Sequence, residues 1–321
     1  MRRTRGPVVV FGEVLVDLFA REAGIALAAA DVLVPRVGGA PANVAVQLAR
    51  LGVSVRFVSA VGTDPFGARV LRELEAEGVD VRWVRKRADR RTGVTLVEVD
   101  RHAERRFFPF RENSADLSFA PADLDLRALR GAWAVHTGTV SLRMPALRAA
   151  TRALVQRARA AGALVSLDVN LRFGMFPSRA LLLREARAAL GRADVVKSTR
   201  EEAQVLLNAP AALDEELAQR LLKRGPRLVM ITADAEGALL ATERVSVHVG
   251  SPKVRAVDAT GAGDAFVGAA LATLRQLGAT REGLAELDAA SLREVGRAGC
   301  VAGSVTVTAL GATTAMPRAL R

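Results

Sequence analysis

Short apolar runs and helical segments alternate along almost the whole chain, and nothing else in the sequence restricts the fold so tightly. Val8–Phe11, Val55–Val61, Ala132–Thr137, Leu164–Asp168, Val195–Lys197 and Leu228–Thr232 are apolar enough for interior strands. Between them, Asn43–Leu51, Phe66–Glu77, Met144–Ala161, Arg179–Leu190, Glu201–Leu207 and Leu213–Arg224 carry apolar residues at helical spacing. Gly52 and Gly78 follow the first two as C-terminal stops. This rhythm predicts a mainly parallel sheet covered by helices on both faces. The 321 residues suffice for one large α/β domain or two small ones, and no Pro/Gly/Ser-rich linker or internal repeat divides them.

One segment breaks the rhythm. Gly93–Asp100 and Arg105–Arg111 alternate like a hairpin around Arg101-His102-Ala103-Glu104. Two adjacent β-segments without a helix between them suit a small projecting sheet that could cover a site. An edge hairpin of the main sheet is the other reading.

The stretch Val257-Asp258-Ala259-Thr260-Gly261-Ala262-Gly263-Asp264-Ala265-Phe266 carries the chemistry. Lys253–Val257 alternates like a short strand, and Ala265–Leu277 reads as a buried helix, so the glycines fall on a strand-to-helix turn. Backbone N–H groups at a helix start lack intrahelical partners and, with the helix dipole, favour an anion. Asp264 would then stand as a fixed carboxylate beside a phosphate cradle, an arrangement suited to moving a phosphoryl group onto a hydroxyl. The plainer reading is a tight turn followed by a first-turn acid. A dinucleotide fingerprint fits poorly because Phe266 replaces its third glycine, and the Lys-Ser/Thr of a P-loop is missing. A second glycine turn, Val37-Gly38-Gly39-Ala40-Pro41-Ala42-Asn43, also leads into a helix. Paired glycines permit close ligand approach, and Asn43 can donate and accept.

Composition removes other classes. The chain is 50% apolar and 25% charged, as ordinary globular proteins are. It has no run of about 18 apolar residues for a membrane span. Its basic start before Val8 resembles a signal peptide, but Glu13 and Asp17 interrupt the apolar run. The single Cys300 excludes an internal disulfide framework and fits a reducing cytoplasm, the expected location. The net charge of +12 is spread over helices, without a basic tail, zinc-finger spacing or aromatic stacking segment, so nucleic acid is not an expected partner.

Together these stretches resemble the ribokinase-like (PfkB-type) carbohydrate kinases, and within them the bacterial fructokinases. The likeness runs in order through Gly12-Glu13-x-Leu15-x-Asp17, GGAPANVAVQLARLG at 38–52 and VGTDPFG at 61–67. It continues through Arg91-Thr92-Gly93, FFPFRENSAD at 107–116, Asp168-x-Asn170-x-Arg172, KSTREE at 197–202 and DATGAGDAF at 258–266. The resemblance implies a three-layer α/β/α sandwich with a mainly parallel central sheet, spanning 1–321 as a single kinase domain. It also implies a small β lid from parts of about 13–37 and 93–111.

The implied activity is transfer of the γ-phosphoryl of ATP to a sugar hydroxyl, with Mg2+. Asp264 matches the catalytic base, and the N–H groups of Gly261, Ala262 and Gly263 match an anion hole. Asp17, Gly38, Gly39, Asn43, Arg111 and Arg172 match sugar-side positions. Lys197, Thr199, Thr232, Gly237 and Cys300 fall on the nucleotide side, together with Gly261 and Gly263. Glu202 matches the acid that orients magnesium through water. Asp258, Thr260 and Gly311 match a monovalent-cation site, for K+. A homodimer is a further expectation.

Fructose is the expected acceptor, with 2-keto-3-deoxygluconate the alternative. A protein that senses sugar or nucleotide without turnover is the alternative from another class, against which the intact base at Asp264 argues. The chain departs from the family at Asp234, where a glycine is usual, at Cys300, where Asn is common, and at Ala309-Leu310, where Arg-Arg is common.

Overall fold

The computed structural model describes residues 6–21, 24–99 and 105–320. In chain order the strands are β1 (Val8–Phe11), β2 (Leu15–Ala20), β3 (Leu33–Gly38), β4 (Val55–Gly62), β5 (Val84–Arg87), β6 (Gly93–Val99) and β7 (Arg105–Phe110). They continue with β8 (Ala134–Gly138), β9 (Leu164–Asp168), β10 (Val195–Thr199), β11 (Leu228–Ala233), β12 (Gly237–Ala241) and β13 (Ser246–Val249). The helices are α1 (Ala40–Arg50), α2 (Pro65–Ala76), α3 (Pro145–Ala160), α4 (Arg179–Leu190), α5 (Arg200–Leu207), α6 (Asp214–Leu222), α7 (Ala262–Leu277) and α8 (Ala289–Thr306).

The main sheet has nine strands in the order β13-β12-β11-β10-β9-β8-β1-β4-β5. It is parallel from β5 to β11 and antiparallel at β12 and β13. Interior strands such as Val8-Val9-Val10-Phe11 are buried on both faces, which is why they are continuously apolar. One apolar core lies under α1, α2, α7 and α8 and includes Val8, Val10, Leu240 and Leu271. The other lies under α3 to α6 and takes the alternate residues Val9, Phe11, Val165 and Ile231. The result is the three-layer, ribokinase-like α/β/α arrangement.

The small sheet has the order β3-β2-β6-β7. Its outer pairs are antiparallel, while β2 and β6 run parallel. The hairpin of β6 and β7 therefore belongs to a second sheet rather than to the edge of the first. Val99 pairs with Arg105 across it; the turn 101–104 lies outside the described residues.

One local expectation fails. Lys253–Val257 forms no strand and is exposed throughout. Neither face of its alternation is covered, and the sheet edge already ends at β13. Its hydrogen bonds run from the N–H groups of Val257 and Asp258 to the Val307 carbonyl at 2.7 and 3.1 Å, beyond the end of α8. The glycine turn is thus loop-to-helix. The helix begins at Ala262 and is buried continuously from Asp264 to Leu274.

Candidate active site

Functional side chains gather where the parallel strands end, as expected for an open α/β sheet. Gly261 opens α7 with φ of 81°, and a Cβ there would lie 2.6 Å from the Ala312 carbonyl oxygen. Glycine is therefore demanded by both conformation and space. No side chain caps α7; the Ala262 N–H donates to the Ala259 carbonyl at 3.4 Å, and the helix start is left without a side-chain partner.

Asp264 follows in the first turn, 8% exposed, and its Oδ2 accepts Asn43 Nδ2 at 2.8 Å. Burial pushes its carboxyl up to about 6, and Asp168 adds to the rise. Asn43, Lys197 and Arg172 pull in the opposite direction. A carboxylate poised near neutrality is the state required of a general base. Asn43 is positioned by α1, whose helix starts after Gly39 (φ 106°), and it holds the acid. Its Oδ1 has no hydrogen-bond partner.

Lys197 rises from β10 beside α7. Its Nζ lies 3.2 Å from Asp168 Oδ1, and a Cβ on Gly263 would come within 2.9 Å of the ammonium. Burial opposes its charge, but Asp168, Glu202 and Asp264 raise its pKa above the ordinary value. Lys197 therefore stands as a cation at the helix start. Asp168, at the end of β9, was legible only within its Asp-x-Asn-x-Arg motif. Arg172, on the exposed loop beyond β9, lies within electrostatic reach of both Asp17 and Asp264.

The small sheet supplies the opposite wall. Asp17 on β2 lies over Gly38, where a Cβ would fall 2.1 Å from its Oδ2. Burial pushes Asp17 up to about 7, with Arg111 and Arg172 opposing. Arg111, just past β7, forms a buried ion pair with Asp116, whose other oxygen accepts Ser114 Oγ at 2.6 Å. Glu13, between β1 and β2, is 6% exposed and also pushed up to about 7 by burial. Asp116 closes the FFPFRENSAD stretch read in the sequence, and the structure makes it the partner of Arg111. Glu13 falls within the Gly12-Glu13-x-Leu15-x-Asp17 stretch but has no role of its own there, since its burial beside Arg111 depends on tertiary packing.

The remaining expected positions divide. Glu202 and Thr199 form a capping box at α5, with Glu202 Oε2 accepting Thr199 N at 3.0 Å. Glu202 Oε1 accepts Leu171 N at 2.7 Å, which ties α5 to the loop carrying Arg172. With both oxygens so engaged, the carboxylate fits a water-bridged approach to magnesium better than direct ligation. Asp258 gathers Thr260 and Gly311: Oδ1 accepts Thr260 N and Oγ1 at 2.9 and 2.6 Å, and Oδ2 accepts Gly311 N at 2.8 Å. A monovalent cation there would have to rest on remaining lone pairs and main-chain carbonyls. Among the described residues, no group of three or more His, Cys, Asp or Glu could hold a metal ion. Thr232, one residue before the end of β11, pairs directly with Thr199.

Gly237 has φ of 106° and no room for a Cβ, which would meet the Val249 carbonyl oxygen at 2.0 Å. That glycine serves strand contact first. Cys300 is buried in α8 against the same carbonyl, and burial pushes its thiol up to about 11. A separate hollow between α3, α4 and the sheet, lined by Leu142, Val155, Leu167 and Ala189, involves none of these groups.

The two-sheet architecture and a cleft with an acid at a helix start define a ribokinase-like α/β/α protein. Residues 6–319 match the pfkB family carbohydrate kinase. The chain belongs to that family. It is 35% identical to fructokinase-2 of Solanum lycopersicum over 314 residues, 98% of this chain and 94% of that one. It superposes on the ATP-bound fructokinase of Xylella fastidiosa with a TM-score of 0.88 at 32% identity, covering 98% and 95% of the two chains. The fructokinase of Vibrio cholerae O395, solved with fructose, ADP and calcium ion, gives a TM-score of 0.83 at 31% identity, with 98% and 96% covered.

Proposed function

We propose that the chain is an ATP-dependent fructokinase that converts D-fructose to fructose 6-phosphate, acting as one kinase unit with the small sheet as its lid. The observation that carries the reading is Asp264, buried at an uncapped helix start and held by Asn43 with Lys197 alongside. The likeness to fructokinases over nearly the whole chain supports the choice of sugar.

Asp264 takes the proton of the attacking hydroxyl, and Asn43 fixes the carboxylate for that transfer. The N–H groups of Gly261, Ala262 and Gly263 stabilise negative charge on the moving phosphoryl, with Lys197 adding a buried cation. ATP supplies the phosphoryl group, and magnesium bound with it would neutralise part of its negative charge. Glu202 would hold that magnesium through water, while Thr199, Thr232, Gly237 and Cys300 belong to the nucleotide side. The loop of Asp258, Thr260 and Gly311 serves a monovalent cation such as K+. Asp17, Gly38, Gly39, Asn43, Arg111 and Arg172 surround the sugar, and closure of the small sheet keeps water from the phosphoryl group. A panel of sugars with ATP, scored by ADP release, tests the reading. Fructose is expected to give the highest kcat/KM, and a panel without turnover would sink it.

A further inference from the structure

The acceptor pocket holds more buried acid than the base and its sugar-side partner account for. Glu13, Asp17, Asp116 and Asp264 are each no more than 8% exposed. Arg111, at 5% exposure, is their buried cation on the small-sheet side. Its Nη2 is paired with Asp116, and its Nη1 reaches Met175 Sδ at 3.7 Å. Its charge is thereby committed within the protein. Three atoms of this group have no hydrogen-bond partner: Arg111 Nε, Oε2 of Glu13, which interacts electrostatically with Arg111 and Asp264, and Oδ1 of Asn43, which holds Asp264. Orphaned buried polar atoms are costly and rarely retained unless something satisfies them. Two acceptors and one donor, linked through Asp264 and Arg111, match the hydroxyls of a neutral sugar, each able to donate and accept. An incoming carboxylate brings only acceptors and a charge of the same sign as Glu13 and its neighbours.

We propose that Glu13 is a specificity-determining residue of the acceptor site: its free carboxyl oxygen takes a hydroxyl of a neutral sugar, and with Asp116 locking Arg111 it excludes sugar acids. The inference rests on the kinase reading above and adds the residue that sets its acceptor preference. Glu13 interacts electrostatically with Arg111, Asp116 and Asp264, and it lies on the connection from β1 to β2 that joins the two sheets. Burial pushes its carboxyl up to about 7, so near neutrality it can offer a hydroxyl either a lone pair or a proton.

The test is steady-state kinetics of wild type and Glu13→Gln with D-fructose, its monodeoxy analogues and 2-keto-3-deoxygluconate, with thermal unfolding to verify folding. Glu13→Gln should raise KM for fructose about tenfold to a hundredfold, the loss expected for a hydrogen bond to a charged group, with kcat far less affected. One monodeoxy analogue should suffer a similar loss with wild type and little further loss with the variant, a coupling that a purely structural role does not produce. An unchanged KM, or losses that add for every analogue, overturns the proposal. If Glu13→Gln does not fold, wild type alone decides. Its kcat/KM should favour fructose over the sugar acid by about a hundredfold or more, and equal use overturns the proposal. Absence of turnover with every acceptor refutes the kinase reading instead, and this inference falls with it.

Discussion

Where the parallel strands begin, Asp194 is saturated. Its Oδ1 accepts Arg281 Nε at 2.9 Å and Arg159 Nη1 at 3.3 Å, while Oδ2 accepts the Val165 N–H at 2.9 Å. Glu77, just past α2, is bracketed by Arg50 and Arg318, and the Arg50 hydrogen bonds hold it below the usual carboxylate range. Where the strands end, Asp17, Asp264 and Glu13 are buried too, and burial pushes all three up to about 6 or 7. The same chemical group is satisfied at one end of the sheet and left wanting at the other. Stability has been optimised at the first end, and a standing electrostatic cost is kept at the second for a ligand to relieve.

The largest effect that could break this contrast is kinetic. Asp264→Asn should lower kcat by about 10²–10⁴-fold, the range for losing a general base, without lowering the melting temperature. A variant within a few-fold of wild type would remove Asp264 from the chemistry. At the saturated end, Asp194→Ala should cost about 2–4 kcal/mol in urea unfolding, since it strands two arginines and a buried N–H. KM for sugar should stay unchanged. A loss of sugar affinity there would show that the two ends are not separable.

Asp17→Asn should act oppositely, stabilising the free protein by about 1–3 kcal/mol at pH 8 while weakening sugar binding. The folded pKa of Asp17, about 7, lies above its ordinary value of 3.8, so its cost is absent at pH values below the ordinary one. The cost grows as pH rises between the two values and is complete above the folded one. The advantage of Asn should therefore shrink on acidification, and a pH-independent gain would contradict this account. The gentlest probe is the pH profile of kcat/KM, which should fall on the acid side with an apparent pKa of about 6 as Asp264 gains its proton. A flat profile through that region would remove the base from its poised state.

Much of the scaffold was legible because interior strands such as β9 and β11 are apolar on both faces, and helices such as α3 and α4 carry a one-sided stripe. β12 and β13 escaped notice because they form the antiparallel edge and do not follow the strand–helix rhythm. α8 escaped because Gly296, Gly299 and Gly303 lower its helix propensity. Two of these glycines let the helix pack closely: a Cβ on Gly296 would strike Leu240, and one on Gly299 would strike Phe266. Lys253–Val257 misled because its alternation has no neighbour to bury it. In the site, Asp264 and Asn43 were found through their turns, but their hydrogen bond joins positions 221 residues apart and only packing reveals it. Glu13 and Asp116 fall inside motifs read in the sequence, but their burial beside Arg111 is visible only in the fold.

The start of α7 leans on the stretch after α8. Gly261 packs on Ala312, Asp258 holds the Gly311 N–H, Arg50 donates to the Thr313 and Met316 carbonyls, and Gln47 donates to the Pro317 carbonyl. Because Arg50 and Gln47 belong to the helix that carries Asn43, both halves of the Asn43–Asp264 pair are braced by residues 311–317. A growing chain acquires these residues only after both sheets have been synthesised, and domains fold as they emerge during translation. A nascent copy would thus own both sheets before it could own a working site, and truncation before residue 311 would remove the brace from Asn43 and Asp264 together with the core residue Met316.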